Sequence, residues 1–222
     1  MKNHIDITFD LETCARTPNA AVMQAAAVAW CRDEESDPFS LFLDKNAVFN
    51  EYIDLRTCVV DGFDFDQQTV NWWSLQSEET KKAVCSGLAE STKEVFYRFN
   101  LWIKDVVKIA DAQSACLWCQ GMDFDGSILR NICHKYDLEL PLKYQQFRDC
   151  RTIIIEAAAI KARNSMDAKS EEKILLDPSK AYDFYEPMPD DYIPGKSVHD
   201  ALYDALRSSW NTWQALKWLK NL

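Results

Sequence analysis

Residues 5–12 read Ile-Asp-Ile-Thr-Phe-Asp-Leu-Glu, apolar at every odd position and polar at every even one. Alternation with a period of two specifies a β-strand that buries one face and keeps the other polar. Asp10 and Glu12 then stand side by side on the polar face at the strand's end. Two adjacent carboxylates on a rigid element make a ligand pair for a divalent cation before anything else about the chain is considered.

The 222 residues, 47% hydrophobic and 27% charged, describe one compact domain able to bury a sizeable core. No apolar run reaches the ~18 residues of a membrane span, and the N-terminus enters the first strand without a signal-peptide apolar region. Eight cysteines scattered through apolar segments fit a reducing compartment, so the expected location is cytoplasmic, with no membrane partner. A net charge of -10 excludes a module that holds nucleic acid on a broad basic surface. It leaves room for local binding at a cation-bearing site.

Strands are predicted at Ile5–Leu11, Met23–Trp30 and Phe39–Leu43, joined as an antiparallel meander. Helical spacing follows at Gln67–Gln76, Glu78–Cys85 and Lys93–Ile109, the last capped by Ser91 or Thr92. A buried strand at Cys116–Gly121, a helix at Ser127–Tyr136, a short strand at Gln146–Asp149 and a helix at Thr152–Lys161 favour parallel pairing in the second half. Residues Asn164–Lys196 hold four of the seven prolines and read as a flexible loop or lid. A final helix carries Leu202, Leu206, Trp210, Trp213 and Leu216. The fold class is α/β, a mixed five-stranded sheet of three antiparallel and then parallel strands, with helices on both faces.

Two further acidic signals join Asp10 and Glu12: Phe124-Asp125-Gly126-Ser127-Ile128-Leu129, and His199-Asp200-Ala201-Leu202-Tyr203-Asp204. Each alone has a simpler explanation. Acidic pairs recur by chance at Asp64/Asp66 and Asp123/Asp125, Phe124 and Leu129 suit a core, and His199 to Asp204 suits a helix start capped by Ser197. Together, in this order, they resemble the DEDDh group of 3'-to-5' exonucleases in the ribonuclease-H-like superfamily, with motifs D-x-E, F-D-x-x-x-L and H-x-A-L-x-D. The tyrosine subtype is set aside, because its tyrosine would stand where Asp200 does. Thr69–Ser77 and Arg148–Thr152 also look like segments of T-even phage exonuclease A and its bacterial exoribonuclease-like relatives. The Asn164–Lys196 stretch has no counterpart in that pattern.

The resemblance implies that Asp10, Glu12, Asp125 and Asp204 hold two Mg²⁺ or Mn²⁺ ions, and that His199 takes a proton from the attacking water. The implied reaction hydrolyses phosphodiester bonds at nucleic acid 3' ends, of DNA or RNA, releasing nucleoside 5'-monophosphates. Two metals suit it because the water must be activated while phosphate and leaving oxygen are shielded, and histidine exchanges protons near neutral pH. Alternatives are a catalytically weak binding or regulatory module of the same fold, and a nucleotide phosphohydrolase.

For substrate contacts, backbone groups at Leu11 and Thr13 are candidates for reading the sugar 2'-hydroxyl. Trp72 and Trp73 face about 100° apart on a helix, so one at most reaches a site. Trp73 is the candidate for stacking on a base, the alternative being a core tryptophan beside a surface one. Arg148 and Arg151 are candidates for phosphate contact or surface ion pairs. Cys116 and Cys119 point to opposite faces of a strand and do not share a metal. Exposed faces of the Trp-rich helices would permit a homodimer.

Overall fold

A computed structural model describes residues 4–39, 47–85, 89–165, 168–192 and 199–221. The alternating run forms β1 (Ile5–Thr13), and the alanine-rich segment after it forms β2 (Val22–Trp30). β2 pairs antiparallel with β1, placing Asp10 opposite Ala26 and Glu12 opposite Gln24, with a bulge between Glu12 and Thr13. The third strand, β3 (Val48–Tyr52), also pairs antiparallel with β2. The predicted third strand at Phe39–Leu43 falls, after Phe39, outside the described residues, and Phe39 itself lies in a turn.

Helices α1 (Leu55–Val60), α2 (Gln67–Ser74), α3 (Glu78–Cys85) and α4 (Thr92–Ile109) follow. The α2 start is set by Asp66, whose carboxylate accepts the N–H groups of Gln68 and Thr69, and the α4 start by Ser91. Next come β4 (Ala115–Cys119), α5 (Asp125–Lys135) and β5 (Phe147–Asp149). β4 runs parallel to both β1 and β5. The sheet order is β3-β2-β1-β4-β5, so the strand with the acidic pair is central.

The β1 alternation separates two cores. Ile5, Ile7, Phe9 and Leu11 join Phe96, Phe99, Ile128 and Ile132 of α4 and α5 on one face. The other face belongs to α6 (Cys150–Asn164) and α8 (Ala201–Lys220), packed with Trp30 and Trp118. The polar residues of β1 point to that second face and are satisfied in sequence. Thr8 accepts Trp30 Nε1 at 2.9 Å. Buried Asp6 accepts Arg32 Nε and Trp118 Nε1, each at 2.7 Å, which leaves Asp10 and Glu12 at the open end. Small side chains on β2 (Ala25, Ala26, Ala27, Ala29) let helices approach closely.

Where composition suggested a loop at 164–196, the chain forms α7 (Ala168–Leu176) and a 3-10 helix over Pro178–Phe184. Pro178 starts that helix instead of breaking one, since the first turn needs no N–H. Ile174 and Ala181 are buried in the second core with Tyr182, Tyr185 and Tyr192 packed against it. Tyr185 Oη donates to the Ile154 carbonyl at 2.6 Å, and Trp210 Nε1 to the Glu186 carbonyl at 2.9 Å. This arm therefore braces α6 against α8, and the part from residue 193 lies outside the described residues. Trp210 and Trp213 are buried within the chain, and half-buried Trp218 lines an open cavity beside them; the homodimer expected from Trp-rich helices gains no support from the described residues. No helix among the described residues is long and apolar enough to cross a membrane.

Candidate active site

The site lies where β1 ends. Asp125 begins α5 and accepts the main-chain N–H of Leu11, which ties it to β1 between Asp10 and Glu12. The Met122 side chain lies against Gly126 in the first turn of α5 and would have to shift to admit a Cβ there. Asp149 fixes the turn from outside, accepting Met122 N at 2.8 Å and Thr152 N at 2.7 Å.

Asp204 arrives on the first turn of α8. Asp200, not Ser197, caps that helix by accepting the N–H groups of Leu202 and Tyr203; Ser197 lies outside the described residues. Gln24, opposite Glu12 in the sheet, accepts Ala201 N at 3.1 Å and so fastens the helix start to β2. His199 sits just before the cap with a left-handed φ of 67°, and its N–H donates to Asp204 Oδ2 at 2.9 Å. Ligand atoms of Glu12, His199 and Asp204 all lie within 4.8 Å of one another.

The electrostatics are those of a site built for cations. Burial, then the charges of Asp125, Glu12 and Asp204, push the Asp10 carboxyl well above the ordinary carboxylate range. Glu12 is pushed up to about 8 by burial, then by Asp204, Asp125 and Asp200. Burial pushes Asp125 up to about 8 against the opposing N–H of Leu11 and charge of Arg151. Asp204 is raised by burial and held back by Arg207 and the His199 N–H. Its buried Oδ1 receives no hydrogen bond and has the Arg207 guanidinium 3.0 Å away. Four converging oxygen donors that are costly to ionise together fit Mg²⁺ or Mn²⁺, which need oxygen ligands and supply the missing positive charge.

The substrate-contact candidates divide. Leu11 N–H is taken by Asp125, the Thr13 carbonyl accepts Trp73 Nε1 at 2.9 Å, and Thr13 Oγ1 donates to the Ala15 carbonyl at 2.7 Å. Those contacts hold the end of β1 together. Trp73 is 8% exposed and is the core member of its pair, while Trp72 is 41% exposed and meets the His199 ring at 4.8 Å. Arg151 lies along Gly121, donating to the Gln120 carbonyl at 3.1 Å, beside the acidic group. Arg148 does not join it. It donates to the carbonyls of Gln145 and Phe147 and lines a cavity with His4, Cys116 and Lys143, where β4 and β5 begin.

Arg207 was not anticipated, although its position three residues after Asp204 puts both on one helix face. Gln24 left no sequence signal, because its partner is set by strand register. Cys116 and Cys119 are buried free thiols, with Cys119 in the first core only.

Asp10, Glu12, Asp125, His199 and Asp204 thus stand together at the open end of a five-stranded mixed sheet. Residues 5–215 match the family described as the 3'-5' exoribonuclease Rv2179c-like domain, and the chain belongs to that family. Among solved structures, the nuclease domain of 3'hExo, a DEDDh family member bound to rAMP, is similar at 14% identity with a TM-score of 0.49. That alignment covers 99% of this chain and 93% of the other. No curated protein matches the sequence at a significant level.

Proposed function

We propose that the chain is a single exonuclease unit that removes nucleoside 5'-monophosphates from the 3' ends of RNA, with Asp10, Glu12, Asp125 and Asp204 holding two Mg²⁺ or Mn²⁺ ions. The observation that carries this reading is the approach of His199 to Glu12 and Asp204 within 4.8 Å, beside half-buried Asp10 and buried Asp125. RNA as the polymer is supported by the description of the family. When bound, the cations would shield the phosphate and make the attacking water more acidic.

The protein's own part is positional. His199 is set at the rim of the carboxylate cluster, with its backbone pinned by Asp204, and accepts the proton of the attacking water. Asp125, clamped through Leu11 N–H, keeps the α5 ligand in register with the β1 pair. Arg151 places a positive charge beside the acids, where an incoming phosphate would need one. A cytoplasmic location is supported by buried free thiols such as Cys58, Cys133 and Cys150.

Purified protein with Mg²⁺ or Mn²⁺ is expected to shorten a 5'-labelled oligonucleotide stepwise from its 3' end, RNA in preference to DNA of the same sequence, and Asp125→Asn is expected to stop this while staying folded. Metal binding without loss of any strand would favour a binding module. Nucleoside triphosphate hydrolysis that oligonucleotides fail to compete away would favour a nucleotide phosphohydrolase.

A further inference from the structure

A second group of metal-ligating side chains stands at the other end of β1. Ligand atoms of His4, Asp6 and Cys116 all lie within 4.8 Å of one another. His4 just precedes β1 and is two residues from Asp6, so both fall to one side of the extended chain. Cys116 is the register partner of Asp6 on the parallel strand β4. The Ile5 N–H donates to the Ser114 carbonyl at 3.0 Å, which seats the start of β1 on the start of β4. Asp6 stands four strand residues before Asp10, about 13 Å away, so this group is separate from the carboxylate cluster. Asp6 and Cys116 are buried, and a cavity of about 790 Å³, lined in part by His4, Cys116, Gln146 and Arg148, gives access to the thiol and the imidazole.

We infer that His4, Asp6 and Cys116 form a binding site for Zn²⁺, held by one nitrogen, one oxygen and one sulfur, with water from the cavity in the fourth position. Donors about 2.0–2.3 Å from one ion stand within roughly 4 Å of each other, so closing the site asks only a small rotation of half-buried His4. Asp6 already accepts Arg32 and Trp118, but the oxygen that takes Arg32 Nε accepts no second donor among the described residues and keeps a lone pair for a cation. The surrounding charges decide which ion fits. Arg32 and Arg148 both act on Cys116, and they cancel the negative charge that a hard, oxygen-seeking ion such as Mg²⁺ requires. A thiolate and an imidazole instead hold Zn²⁺ through softer donors. The thiol loses its proton to solvent as the Zn–S bond forms.

The test uses Co²⁺ as an optical substitute for Zn²⁺ on the full chain, kept in a thiol-free reductant. A thiolate bound to Co²⁺ gives a near-ultraviolet charge-transfer band, which a site of carboxylates and imidazole cannot give. Wild type is expected to develop that band, to lose it when Zn²⁺ displaces Co²⁺, and to keep it in a large excess of Mg²⁺. Cys116→Ser should abolish the band. His4→Ala should raise the Co²⁺ Kd read from it by at least about 10-fold, since even residues behind a direct ligand cost that much.

No band in wild type, a band that survives Cys116→Ser, or unchanged affinity in His4→Ala would each overturn the site and leave the exonuclease reading untouched. A band bleached by Mg²⁺ as readily as by Zn²⁺ would overturn the choice of ion. Thermal midpoints establish that each variant is folded. If Cys116→Ser is not, His4→Ala decides alone, because His4 is half-buried and lies outside the strand.

Discussion

Asp125→Asn is expected to stabilise the metal-free protein while destroying its activity. Asp125 is 3% exposed and its carboxyl is pushed from 3.8 to about 8. At about 1.4 kcal/mol per tenfold change in proton affinity, ionising it in the metal-free fold costs roughly 6 kcal/mol relative to the unfolded chain. The sign follows from proton counts. Between about pH 4 and pH 8 the native state keeps a proton that the unfolded state has lost, so wild-type stability falls as pH rises through that window and levels off above it. Asparagine is nearly the same shape, keeps an oxygen to accept the Leu11 N–H, and has nothing to ionise. In EDTA, the gap in unfolding free energy between variant and wild type should therefore open from near zero at pH 4 to several kcal/mol at pH 8, as read from urea unfolding. Saturating Mn²⁺ should then raise wild type by about 2.7 kcal/mol or more at a hundred times Kd, and the variant by much less. A variant less stable than wild type at pH 8 without metal, or a gap that does not change with pH, would refute the repulsive, cation-requiring site.

Three other perturbations probe the frame that carries the site. Arg32→Ala strips the main partner from buried Asp6, and should cost about 3–5 kcal/mol in denaturant unfolding; a loss under about 1 kcal/mol would mean that Trp118 suffices. Gly121→Ala puts a side chain at φ 115° with its Cβ 3.6 Å from the Arg151 guanidinium. It should lower stability by about 1–3 kcal/mol and raise KM more than it lowers kcat, measurable by steady-state digestion. Tyr185→Phe removes the hydroxyl bond to the Ile154 carbonyl; thermal unfolding should show a loss of about 1 kcal/mol with turnover unchanged, and loss of activity would give the arm a direct part in catalysis.

The acidic pair on β1 was legible because a strand's alternation is a local property: Ile5, Ile7, Phe9 and Leu11 had to enter one core, so Asp10 and Glu12 had to share the opposite face. The third motif was legible as the spacing of one helix start, although the cap that places Asp204 on the first turn of α8 is Asp200 and not the Ser197 expected from the sequence. The 164–196 stretch was not, because prolines and charges describe loops and helix starts equally well. Ile174 and Tyr182 show themselves as core residues only once α6 and α8 stand beside them.

By itself, then, the sequence determined the strand, the order of the acids and the class of chemistry, all of which depend on neighbours a few residues apart. The tertiary structure decided which groups around that chemistry are free. It sent Arg148 to the far end of the sheet and Arg151 to the site, though they differ by three residues, because one lies on β5 and the other on the first turn of α6. It buried Trp73 under the Thr13 carbonyl and left Trp72 open beside His199. It brought in Gln24 and Arg207 through register and helix packing. Those outcomes turn on which surfaces meet across the chain, and spacing along it carries no such information.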